Sequence, residues 1–230
     1  MKKQEESKLA VKPEASIAAQ GKVVRGFEAE IDKSDIIIPR AKLIQKMSVE
    51  FGEGVKEGAI INSVTKEILP SIFTPIFIYK EFVRFDDNKT MLWKSTDPKD
   101  PRVIKEAAFG ENGEAPLAMT TLNFFSMFDG LPMPVIVSFG KSSYKTGKQL
   151  LSLARFSGQD MFARKYTLGS KKVDNPKGSF CIFTVNPAGF VTEADYIIAN
   201  QLWETYSSKA ADLKVHDETV AGDDVPSSWK

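Results

Sequence analysis

Residues 70–85, PSIFTPIFIYKEFVRF, carry the strongest strand signal in the chain. Isoleucine, phenylalanine and valine suit a pleated, half-buried surface. The second half alternates imperfectly, with Tyr79, Glu81, Val83 and Phe85 set against Lys80, Phe82 and Arg84. Asp86-Asp87-Asn88 is a turn signal, and residues 90–94 (TMLWK) return as the partner strand. A sheet is therefore the framework. Residues 59–63, 67–69, 117–128, 135–139, 161–168 and 180–185 read as further strands, for a sum of about eight. Helical signals are confined to two places. Ser142 or Ser143 caps one helix, and Thr192 caps the other, with Glu193 and Asp195 in its first turn. Without regular strand–helix alternation the chain reads as a β-rich α+β fold, a small barrel with two added helices.

Between these elements the chain reads as loop or arm. Residues 1–26 lack periodicity and read as a flexible N-terminal arm, residues 27–208 as a single globular domain, and residues 209–230 as a flexible polar tail. Residues 27–31 read as an edge strand. Residues 35–45 begin extended because Pro39 restricts Ile38, with strand or helix open after the proline. Residues 95–116 read as a long surface loop with one helical turn at 103–109. Residues 169–178 read as a lysine-bearing loop, and Asn186-Pro187 with Gly189 as a turn.

Composition narrows the chemistry. The chain is 42% apolar and 27% charged with a net charge of +1, so only the pattern of charge can point to a partner. No apolar run approaches the ~20 residues that cross a bilayer, and no secretory signal opens the chain. A cytoplasmic protein without membrane contact is expected. The single Cys181 excludes an internal disulfide, and its apolar surroundings suit a buried thiol. The single His216 stands in the polar tail, away from any nucleophile pattern. Gly140-Lys141-Ser142 lacks the earlier glycine of a phosphate loop, since Val135 stands there. No catalytic set, metal site or cofactor is expected, and the protein reads as no enzyme.

What does stand out is residues 138–172. They hold eight basic residues and one acid, Asp160. Lys141, Lys145, Lys148 and Arg155 fall at steps that share one face of a helix. Gly147, Leu150, Leu151 and Ala154 occupy the face that would meet a core. Arg164, Lys165, Lys171 and Lys172 extend the basic track beyond the helix. Tyr144, Phe156 and Tyr166 lie among the bases as candidate stacking residues. Bases hold phosphates and aromatic faces stack on unpaired nucleobases, so the combination points to single-stranded nucleic acid. A solvated lysine face on an ordinary amphipathic helix is the plainer reading of the helix alone. Arg40, Lys42 and Lys46 would extend the basic surface, and Trp93 would serve either core or stacking.

Residues 38–48 (IPRAKLIQKMS), 58–69 (GAIINSVTKEIL) and 178–202 (GSFCIFTVNPAGFVTEADYIIANQL) together resemble phage-encoded single-stranded DNA-binding proteins, a likeness spanning roughly residues 35–206. The resemblance implies an OB-like barrel that coats single strands during phage DNA replication or recombination, in the host cytoplasm. It also implies contacts to replication or recombination proteins through the C-terminal tail, although this tail is less acidic than the family's. Two rival readings stay open. One is a protein-interaction module that meets an acidic protein surface. The other is a strand-annealing protein or metal-dependent nuclease, for which no catalytic constellation is visible.

Overall fold

The computed structural model describes residues 36–88, 90–176 and 178–208. The expected N-terminal arm, the strand at residues 27–31, the polar tail and His216 lie outside the described residues.

The elements in order are β1 (Ala41–Leu43), α1 (Val49–Gly52), β2 (Ile60–Asn62), β3 (Ile72–Phe85), β4 (Met91–Ser95), α2 (Pro101–Glu106), β5 (Met119–Phe128), β6 (Val135–Phe139), α3 (Tyr144–Arg155), β7 (Arg164–Asn175), β8 (Gly178–Phe190) and α4 (Glu193–Tyr206). Strands β6-β5-β3-β7-β8 form one antiparallel sheet in that order, and β4 also pairs with β3. Strands β1 and β2 form a separate two-stranded sheet. The fold is α+β and strand-rich.

Period-two alternation splits the core between the two faces of the sheet. On one face Leu122, Phe124, Phe128, Val137, Phe139, Phe183 and Val185 pack against Leu150 of α3. On the other, Ile76, Phe77, Phe125, Ile136 and Phe162 pack with Ala199, Tyr196 and Leu202 of α4. Along β5 and β6 neighbouring residues therefore serve different cores. Thr192 caps α4 by accepting the Asp195 N–H at 3.2 Å, as its position suggested.

Four expectations are corrected. First, the sheet is open, and among the described residues β6 and β8 do not pair to close a barrel. The free edge of β8 is satisfied by side chains instead. Gln45 bonds both the N–H and the C=O of Cys181, Ser143 Oγ accepts the Phe183 N–H, and Thr146 Oγ1 donates to the Phe183 C=O. These bonds occupy the edge that a closing strand would need. Second, Ser143 is thereby diverted from capping α3, which follows a 3-10 turn at Lys141–Ser143. Third, residues 169–175 are no loop. The β7–β8 ladder runs from Gly169↔Thr184 out to Asn175↔Gly178, and Gly178 makes the turn at a φ of 126°. Asn186 and Pro187 likewise lie within β8, beside a register shift at Lys165/Tyr166. Fourth, Asp100-Pro101 opens a helix. Asp100 accepts the Arg102 N–H at 2.9 Å, and proline occupies the first helical position, where no donor is missed.

Candidate nucleic-acid interface

Helix α3 is held to the sheet by its small residues. A Cβ on Gly147 would stand 2.6 Å from the Phe139 Cβ, so glycine sets how closely helix and sheet approach. Leu150 and Ala154 bury beside it, and Thr146 Oγ1 donates to the Phe183 C=O at 3.0 Å. This fixes the rotation of the helix and leaves Lys145, Lys148 and Arg155 exposed on its outer face. Lys141 is also exposed, in the 3-10 turn before the helix, with a φ of 47° that L residues seldom adopt. Tyr144 is half-buried against the core, and Lys148 Nζ lies 5.1 Å from its ring centroid, a cation–π contact. Phe156 is 88% exposed and belongs to no core. Helix α3 carries no acidic residue. Among the described residues no carboxylate pairs with Lys141, Lys145, Lys148 or Arg155.

The strand part of the predicted track is divided. Tyr166 is 1% exposed and packs beside Phe73 at 6.1 Å, so its ring is core and no base reaches it. Burial pushes its phenol above the ordinary pKa, and Arg164 opposes this in part. Lys165 bridges Asp129 at 2.9 Å and Asp195 of α4 at 3.1 Å. Burial alone would lower its pKa, but the two carboxylates outweigh burial and raise it. Lys172 pairs with Glu57 at 3.2 Å. Lys171 is exposed, and strand alternation points it to the opposite face from Lys172. Arg164 stacks over Phe190 at 4.7 Å. The eleven predicted residues therefore do not share one surface. The coherent part is α3 with its leading turn: Lys141, Tyr144, Lys145, Lys148, Arg155 and Phe156.

A family model described as Pam3 phage gp34-like protein matches residues 4–212. The chain belongs to this phage protein family. No curated protein and no solved structure gives a significant match.

In this gp34-like protein several bases outside residues 138–172 are engaged internally. Arg40 donates to Ser138 at 2.8 Å and meets Glu81 at 3.4 Å, while Lys94 reaches the other Glu81 oxygen at 2.5 Å. Lys42 and Lys66 hold Glu50 at 2.9 and 3.2 Å, and the Lys42 bond chiefly lowers that carboxyl to about 2. Arg40 and Lys42 thus serve the fold, contrary to their expected part in a basic surface. Trp93 is half-buried, donates its indole N–H to Glu106 at 3.2 Å and lies under Arg102 at 5.3 Å, away from α3 and its cations. Sequence reasoning missed Asp160 and Tyr196 as a pair: the phenol donates to the carboxylate at 2.5 Å and ties the loop after α3 to α4. The available signal was that Asp160 is the one acid in a basic segment. Among the described residues no group of three or more histidine, cysteine, aspartate or glutamate side chains could hold a metal. None of their helices is long and apolar enough to cross a membrane.

Proposed function

We propose that this gp34-like protein binds single-stranded DNA, without enzymatic activity, in phage DNA replication or recombination. The observation that carries the reading is the outer face of α3 with its leading turn, where Lys141, Lys145, Lys148 and Arg155 are exposed and meet no described carboxylate. Like charges on one helix face repel, and a polyanion relieves that repulsion while its counterions are released. Tyr144 and the exposed Phe156 supply aromatic surface beside the cations. The reading needs no closed OB-like barrel, because the phosphates are held by a helix face and its leading turn. The test is equilibrium binding of a labelled single strand and the matched duplex at low salt. Tighter single-strand binding is expected, weakened roughly tenfold at ~0.1 M salt by Lys145→Ala with Lys148→Ala. Absence of low-salt binding overturns the reading.

A second reading has one observation in its favour. Lys165 and Lys172 are paired internally, which shortens the basic track to the span of one helix. Such a patch also suits an acidic protein surface. In that case polyanions compete for the partner, and strand length has no effect on their competition.

A further inference from the structure

Strand β3 has a gap along the edge opposite β5. Strand β7 pairs with β3 only at Ile72 and Phe73, and β4 only from Phe82 to Phe85. Over residues 74–81 no described strand covers that edge. A cavity of about 850 Å³ opens there, with Ile78 of β3 in its wall. It lies at the C-terminal end of the basic helix, and Arg155 belongs to both. Leu151 and Met161 make apolar walls, while Gln159, Asp160 and Tyr196 add polar groups. The volume falls in the ~300–1,000 Å³ range of small-molecule sites, ample for a nucleotide.

The polar groups have a direction. Tyr196 donates its hydroxyl to Asp160 Oδ2 at 2.5 Å, which fixes the carboxylate and leaves Oδ1 without a described partner. A carboxylate is acceptor-only. Guanine is the base whose pairing edge carries two adjacent donors, N1–H and N2–H. Thymine offers one N–H between two carbonyls, which a carboxylate repels. We propose that this cavity takes one unstacked nucleotide of a bound strand, with guanine preferred. Asp160 Oδ1 accepts one of the guanine N1–H and N2–H donors, Oδ2 accepts the other on its second lone pair beside the Tyr196 hydroxyl, the Gln159 amide donates to O6, and Arg155 holds the neighbouring phosphate. The apolar walls replace the stacking that the base gives up on leaving its neighbours. This inference rests on the strand-binding reading above.

The test uses the full chain and two labelled oligonucleotides, one all thymine and one with a single central guanine. The guanine strand is expected to bind roughly tenfold tighter, the discrimination typical of one good bidentate base contact. Asp160→Asn brings the two strands to equal affinity. Gln159→Ala, at an exposed position, is the second variant and reduces the preference several-fold, even if the Asp160 variant does not fold. Equal affinity of the unaltered protein for both strands overturns the pocket and leaves strand binding standing. Folded Asp160 and Gln159 variants that keep the preference also overturn it, as does binding of free guanosine monophosphate without any strand preference. Failure to bind either strand overturns the pocket and the strand-binding reading together.

Discussion

The side-chain amide of Gln45 takes the place of a strand beside Cys181. Its Oε1 accepts the Cys181 N–H at 2.8 Å, and its Nε2 donates to the Cys181 C=O at 2.9 Å. An unpaired edge is a template for pairing with other chains, and here one side chain blocks it. Gln45→Ala strips two buried main-chain groups of their partners. The expected loss is ~1–3 kcal/mol of stability, with more self-association. Chemical denaturation and light scattering at rising protein concentration measure both effects.

Gly147 and Phe139 define a second close contact, since a methyl group on Gly147 would sit 2.6 Å from the Phe139 Cβ. Alanine is the better helix former by ~1 kcal/mol, so propensity alone predicts a gain from Gly147→Ala. Overpacking against β6 dominates instead. A net loss of ~1–3 kcal/mol is expected in the denaturation midpoint.

These two contacts show how far the sequence carried. Strands β3, β5 and β6 were legible as runs of β-branched and aromatic residues, and both long helices because their core-facing residues recur at helical spacing. The outer half of β7 was not. Its run Ser170-Lys171-Lys172-Val173-Asp174-Asn175 has no apolar alternation, since the hairpin end is largely exposed and its strand character comes from the β8 ladder. The cations of α3 were legible as one helix face. Lys165 and Lys172 were misjudged because Asp129, Asp195 and Glu57 reach them from distant elements, and no local pattern announces an ion pair of that kind. Tyr166 looked like a stacking ring among bases, yet its position in β7 turns it inward.

Tyr144 and Tyr166 should therefore part company on mutation. The Tyr166 hydroxyl is buried with no partner among the described residues. Tyr166→Phe removes that unsatisfied group, so stability should hold or rise slightly, with unchanged strand affinity. Tyr144→Ala should weaken strand binding by ~1–3 kcal/mol if its ring stacks on one base. Fluorescence titration of folded variants separates the two.

Glu50 supplies a pH dependence. Its hydrogen bond from Lys42, assisted by Lys66, lowers the carboxyl from 4.5 to about 2. The folded state thus holds its proton less tightly than the unfolded state. The contribution is complete above pH 4.5, shrinks as pH falls towards 2 and is gone below that, a span on the order of 3 kcal/mol. The stability difference between the unaltered protein and Glu50→Gln should narrow over that window in acid denaturation.

The most direct test of strand binding is the salt dependence of single-strand affinity. Four cations on α3 and its leading turn, each holding one phosphate, predict a slope of log K against log salt of about −3 for single strands. Lys145→Ala with Lys148→Ala should reduce the slope to about −1.4. A slope near zero, or one unchanged by the double substitution, would contradict the assignment of α3 as the phosphate-holding face.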